Sequence, residues 1–146
     1  LGDHGKLVGT PESEMPQSYN HVPLMIYGKG IEKGVNGAFG GQIDVAPTIL
    51  GMLGVGYTQI NFGVDLLNEK RPCMFYTADN LIAARDSERV YIFSPETGQE
   101  FRYRHVGGKI AVEEDNDTYR MLKEYCFSML QSTEYLVRHG RITDED

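Results

Sequence analysis

An acid and an imidazole stand side by side near the start of the chain, Asp3 and His4, between Gly2 and Gly5. Neighbours on a regular strand point to opposite faces, but flanking glycines free the backbone at a strand end, so both side chains can turn toward one point. A carboxylate oxygen and a neutral imidazole nitrogen suit Zn²⁺ or Mn²⁺. We therefore interpret Asp3 and His4 as two ligands of a divalent-metal site. The competing interpretation is a turn with a capping aspartate and a solvent-facing histidine.

Composition sets limits on the class of protein. The chain has 146 residues, of which 40% are hydrophobic, which predicts one domain or part of one. Its net charge of −7 argues against a nucleic-acid binder, which normally shows a basic face. No apolar run reaches about 18 residues, so the sequence predicts no membrane span. Cys73 and Cys126 are predicted to be two buried thiols, with a disulfide as the alternative.

The first third of the chain has to position the acid–imidazole pair. Residues 5–20 are polar and rich in breakers, which predicts a loop at the rim of the site. Residues 21–27 are apolar without alternation, which predicts a short buried strand, parallel and central. His21 at its entry is a candidate substrate-binding residue, or else a strand-edge histidine making an ordinary hydrogen bond. Residues 42–54 predict a helix with Asp44 as N-cap and Gly54 as its stop.

The remainder reads as a meander followed by a helix. Strands are predicted over 73–77, 81–85, 89–93 and 100–104, with turn residues between them. Apolar residues at three- and four-residue steps predict a last helix over 116–139, capped by Asn116 or Asp117 and ended by Gly140. The polar tail that follows is predicted to fray. The fold class is therefore α/β.

Three stretches in this order carry a resemblance to a known family: GDHG at residues 2–5, HVPLMIY at 21–27 and GQIDVAPTIL at 41–50. Together they resemble the C-terminal portion of sulfatase-like enzymes of the alkaline phosphatase superfamily. The glycine before the Asp–His pair and the Gly-Gln-Ile-Asp phrase are most similar to the lipoteichoic acid synthase and phosphoglycerol transferase branch. The likeness extends over residues 1–105.

The resemblance implies a fold and a site. Residues 1–146 would be the C-terminal part of an alkaline phosphatase-like fold, with a metal-pair loop, strand and helix in 1–54, antiparallel strands in 73–104 and the helix 116–139. Asp3 and His4 would be metal ligands. The metal would be Mn²⁺, Zn²⁺ or Mg²⁺ in a transferase and Ca²⁺ in a sulfatase.

The resemblance also implies an activity. It would be phosphoglycerol or other phosphoryl transfer on a lipid or glycan phosphodiester, with an anionic phospholipid or a phosphorylated glycan as partner. A sulfatase acting on a sulfated glycan is the alternative, and a non-catalytic module of the same fold is a third. Such enzymes are extracytoplasmic and often anchored by N-terminal membrane helices.

One part of the family pattern has no counterpart in these residues. The family's nucleophile, a Thr or Ser (formylglycine in sulfatases), precedes the Asp–His pair. No residue here can be assigned to that role, so the catalytic residue is unknown. The resemblance therefore implies one part of a longer enzyme, which would be inactive without its upstream portion.

Overall fold

The computed structural model describes residues 2–141, so Leu1 and the part of the predicted tail at 142–146 lie outside the described residues. A helix α1, a 3₁₀ turn and a helix α2 precede five strands and a long helix: α1 Gln17–Asn20, the turn Gln42–Asp44, α2 Val45–Met52, β1 Met74–Ala78, β2 Leu81–Arg85, β3 Arg89–Phe93, β4 Glu100–Val106, β5 Lys109–Val112 and α3 Asp117–Arg138. Helices with a sheet fit the predicted α/β class. Within residues 2–141, every helix is too short or too polar to span a bilayer.

The predicted meander is confirmed. The strands form one antiparallel sheet in the order β1-β2-β3-β4-β5, and β2 and β3 have the predicted bounds. The β1–β2 turn places Asp79 and Asn80 at φ 49° and 62°, the left-handed region that Asp and Asn tolerate in two-residue hairpin turns. The fifth strand was not predicted. Its signal was Gly107-Gly108, whose φ values of 58° and 76° suit the same kind of turn.

Helix α3 covers one face of the sheet. Tyr119, Leu122 and Cys126 pack against Ile82 and Tyr91, and all five residues are buried. Cys73 belongs to the same cluster, and both cysteines are free, so the prediction of two buried thiols is confirmed. This cluster is the larger part of the core.

The ends of α3 follow the sequence signals. The Asn116 side chain accepts from the Thr118 and Tyr119 amides at 3.0 and 3.3 Å, so the predicted cap is confirmed. Asp117 in the first turn and Arg138 in the last turn each face the favourable end of the helix dipole. Gly140 at φ 63° follows the C-terminus, as predicted.

The opposite face of the sheet has a second, smaller cluster. Ala83, Val90 and Ile92 point to this side and are joined by Met15, which is only 4% exposed. Met15 comes from the region predicted as a plain loop over 5–20. That region instead contains α1 and contacts the sheet.

The prediction of a buried parallel strand over 21–27 is wrong. The residues belong to no strand, and Met25 and Tyr27 are 80% and 103% exposed. The apolar composition indicated burial, but a parallel strand needs neighbours on both sides. All strand pairs among the described residues are antiparallel and belong to the meander. The segment therefore has no sheet to join there.

The helix predicted over 42–54 is present as the 3₁₀ turn and α2. It ends as predicted: Gly54 has φ 63°, its amide donates to Gly51 at 3.1 Å, and the Val55 amide donates to Leu50 at 3.1 Å. The predicted role of Asp44 needs correction, because its carboxylate binds no α2 amide. Leu53, at the C-terminal end of α2, is 68% exposed.

Candidate metal site

The predicted ligand pair has its polar atoms on the same side of the backbone. Asp3 Oδ2 lies 3.9 Å from His4 Nε2. Both side chains face solvent, with 92% of the Asp3 and 54% of the His4 side chain exposed. They therefore do not diverge as neighbours on a regular strand would.

Local hydrogen bonds define the charge and tautomer of the pair. The His4 amide donates to Asp3 Oδ1 at 3.0 Å, and this hydrogen bond is the largest of the effects that hold the pKa of the Asp3 carboxyl below its usual range. His4 Nδ1 lies 2.7 Å from the Gly5 carbonyl oxygen. Because a carbonyl only accepts, Nδ1 carries a proton in this contact, which leaves the lone pair of the neutral ring on Nε2. An ionised carboxylate oxygen and a bare imidazole nitrogen thus face one another.

This donor set fits a divalent cation. Zn²⁺ binds carboxylate oxygen and imidazole nitrogen at about 2.0–2.2 Å, so two tetrahedral ligands stand about 3.4 Å apart. The observed separation of 3.9 Å between Asp3 Oδ2 and His4 Nε2 needs only a small side-chain rotation to reach that value. The Nδ1 contact of His4 is also the usual arrangement for a metal-bound histidine, whose other nitrogen donates to a carbonyl or carboxylate. Both atoms can therefore bind the same ion.

Gln42 and Tyr19 hold the Asp3–His4 segment from two sides. On one side, Gln42 Nε2 donates to the Asp3 carbonyl at 2.5 Å and points to the Gly2 carbonyl at 3.3 Å. On the other side, the Gly5 amide donates to the Tyr19 carbonyl of α1 at 2.7 Å. The Tyr19 ring stacks on His4 with centroids 4.8 Å apart and a 20° interplanar angle. The pair is therefore clamped between α1 and the 3₁₀ turn.

The 3₁₀ turn is in turn fixed by a buried ion pair two residues beyond Gln42. Asp44 is fully buried, and Arg71 donates to it through Nε at 2.8 Å and Nη2 at 2.5 Å. The amides of Gly41 and Val64 fill the remaining positions on the carboxylate at 2.8 and 2.9 Å. Asp44 is therefore a structural anchor: it does not cap α2, but it accepts from the Gly41 amide at the start of the 3₁₀ turn.

Sequence reasoning missed Gln42 and Tyr19. Gln42 lies inside the Gly-Gln-Ile-Asp phrase that carries the resemblance, so its position was a signal without an assigned role. Tyr19 lies in a stretch with no periodicity and gave no signal.

The pair has no further ligand among the described residues. Within 2–141, no group of three His, Cys, Asp or Glu side chains is close enough to hold a metal ion. His21, the predicted substrate-binding residue, is exposed, and its amide donates to the Gln17 carbonyl at 2.7 Å. The structure does not bring it into a three-ligand group with the pair, and its role stays a prediction. Two ligands fall short of the four that a tight zinc site uses.

Residues 1–55 match the family model described as Sulfatase. They contain the Asp–His pair, the clamp residues and Asp44. This match over the first third of the chain agrees with the resemblance that the sequence motifs predicted.

One curated relative narrows the comparison. The chain is similar to Lipoteichoic acid synthase 1 of Bacillus subtilis (strain 168), with 36% identity over 84 residues. The match covers 56% of this chain and 13% of the relative, so the chain spans a small part of that protein's length. No solved structure matches the chain.

Proposed function

We propose that this chain supplies two metal ligands, Asp3 and His4, to the active site of a metal-dependent phosphoglycerol transferase. The observation that carries the proposal is the 3.9 Å separation between an ionised carboxylate oxygen and an imidazole nitrogen with a free lone pair. The similarity to a lipoteichoic acid synthase supports the choice of a phosphoryl rather than a sulfuryl group. The proposed substrate is a lipid or glycan phosphodiester, such as an anionic phospholipid outside the cytoplasm.

The proposed metal is Mn²⁺, Zn²⁺ or Mg²⁺, held by Asp3 Oδ2 and His4 Nε2 together with ligands from elsewhere in the enzyme. When bound, such an ion lowers the pKa of a coordinated nucleophile and neutralises charge on the transferred group. The role of this chain's own residues is positional. Gly5 fixes the His4 tautomer through its carbonyl, and Gln42 holds the Asp3 backbone.

Activity is proposed only for a polypeptide that joins this sequence to a nucleophile, because the curated relative is far longer than the matched region. For the 146-residue chain itself, we propose weak metal binding and no turnover.

A sulfatase is the second candidate, favoured by the description of the matching family model. The metal would then be Ca²⁺. Assays of the longer polypeptide on phosphatidylglycerol and on an aryl sulfate separate the two candidates. Turnover of phosphatidylglycerol alone supports the transferase, and turnover of the aryl sulfate alone supports the sulfatase.

The site itself can be tested on the isolated chain by adding Mn²⁺ in substoichiometric steps and following histidine ring resonances by NMR. The proposal expects His4 to broaden first, and expects Asp3→Asn to abolish that selectivity. His139 is a matched internal control, since its Nδ1 contacts a backbone carbonyl at 2.8 Å in the same way, but no acid precedes it. Equal broadening of His4 and His139 would refute the assignment.

A further inference from the structure

A segment over residues 12–20, which we call the strap, connects the sheet to the Asp–His pair. Three contacts attach it to the sheet. Met15 is buried in the smaller core cluster, and the Tyr103 hydroxyl donates to the Glu14 carboxylate at 2.6 Å. The side-chain Nε2 of Gln17 donates to His105 Nδ1 at 2.8 Å. The strap is therefore fixed to β3 and β4 along one side.

The C-terminal end of the strap contacts the Asp–His pair and Gly5. Gly5 approaches α1 so closely that a Cβ at this position would collide with the Ser18 carbonyl oxygen and lie 3.3 Å from the Tyr19 carbonyl oxygen. Only glycine fits such an approach without displacing backbone. Tyr19 then presents its ring face to the His4 imidazole at 4.8 Å between centroids. The contact is thus both a backbone junction and an aromatic stack.

The stack restrains a side-chain torsion of His4 that the hydrogen bond to the Gly5 carbonyl does not fix by itself. An exposed histidine samples several rotamers, and each would carry Nε2 to a different place. The observed stack selects the rotamer in which Nδ1 meets the Gly5 carbonyl and Nε2 faces the Asp3 carboxylate. Aromatic pairs in such offset geometry contribute about 0.5–1.5 kcal/mol beyond the area they bury, enough to favour one rotamer several-fold.

We propose that Tyr19 is a positioning residue for His4, holding its imidazole in the metal-binding orientation from the strap. Its function toward a metal rests on the proposed function above, whereas its effect on the His4 ring does not. Tyr19 acts through its ring face, so the phenol oxygen has no part in the role.

The experiment compares Tyr19→Phe, Tyr19→Leu and Tyr19→Ala with the wild-type chain. Phe keeps the ring face and is the matched control, while Leu keeps apolar bulk without an aromatic face and guards against a trivial loss of packing. In metal-free protein, NMR of the His4 ring reports both the ring-current shift from Tyr19 and the tautomer. We expect Tyr19→Phe to retain both, and Tyr19→Leu and Tyr19→Ala to lose the shift and the preference for protonated Nδ1.

A second readout is the Mn²⁺ concentration that half-broadens the His4 ring. Because the stack favours the metal-binding rotamer several-fold, we expect a several-fold increase in this concentration for Tyr19→Leu and none for Tyr19→Phe. Wild-type shifts and affinity in Tyr19→Leu, or equal losses in Tyr19→Phe, would overturn the proposal. If Mn²⁺ leaves wild-type His4 unaffected, the proposed function fails, and the metal-free ring shifts still decide the role of Tyr19.

Discussion

The buried ion pair between Asp44 and Arg71 yields the sharpest prediction about how the site is held. Asp44→Asn keeps the shape of the side chain but removes its charge and replaces one of two accepting oxygens with a donor. Four donors converge on this carboxylate, two of them from Arg71, and the guanidinium side chain is only 5% exposed. The substitution therefore leaves a buried cation without a counter-ion.

Removing one partner of a buried pair costs about 3–5 kcal/mol. The cost falls on the region that contains the 3₁₀ turn, so the assay should report local opening. Hydrogen exchange of the Val64 amide suits this purpose, because that amide donates to Asp44 at 2.9 Å. Since 1.4 kcal/mol is tenfold, we expect exchange in Asp44→Asn to be at least about a hundredfold faster.

Two variants make the reasoning refutable. Asp117→Asn is the matched control, because its carboxylate is 97% exposed and its ion pair is a surface one worth at most about 1 kcal/mol. The double variant Asp44→Asn/Arg71→Met removes both charges and should recover part of the loss, giving a favourable coupling energy. A less than tenfold change at Val64 in Asp44→Asn, or strict additivity in the double variant, would contradict the structural role assigned to the pair.

Three further predictions concern the sheet and its attachments. The hydrogen bond from Tyr119 holds the pKa of the Glu113 carboxyl below its usual range, so the stabilisation by ionised Glu113 is present above about pH 4.3 and lost as the pH falls below that value. Glu113→Gln should lower the urea midpoint at pH 7 and match wild type near pH 3, whereas an equal deficit at both pH values would refute this. Burial raises the pKa of the Cys126 thiol to about 12, so a disulfide reagent should label it at pH 8 only after denaturation, and rapid labelling of native protein would refute its burial. Burial also lowers the pKa of His105, so the neutral ring that accepts from Gln17 is fully present above about pH 6.5 and is lost as the pH falls below that value. The Gln17 side-chain amide resonance should shift as the pH is lowered from about 6.5, and a flat profile would contradict the contact.

The sheet and α3 were predictable because their signals are local. Alternation, turn residues and an Asn cap each depend on residues a few positions apart, and the bounds of β2 and β3 came out as predicted. The missed strand β5 had the same kind of signal in its Gly-Gly turn. Such elements are determined by interactions between residues close in sequence, so the sequence pattern predicts them directly.

The strand at 21–27 failed for a different reason. A continuous apolar run predicts that a segment is buried, but it does not predict which part of the protein packs against it. Among the described residues that surface is absent, and Met25 and Tyr27 remain open to solvent. The prediction was wrong because it inferred a packing contact from apolar composition alone.

The candidate site was half predictable. The identities of Asp3 and His4 and their motif pointed to metal chemistry, and their side chains do face one another. The roles of their supports could not be assigned from the sequence, because stacking by Tyr19 and the hydrogen bonds from Gln42 depend on the path of the chain and not on residue type.

The supports also set an order in which the site can form. The strap binds β4 through contacts that join residues 88 and 89 positions apart, Gln17 with His105 and Glu14 with Tyr103. Closing such long loops costs entropy that only an already folded partner can repay. The sheet can fold from its own hairpins, whereas the strap has no partner until β4 is in place. We therefore expect the geometry of the Asp–His pair near the start of the chain to be completed after the sheet has folded.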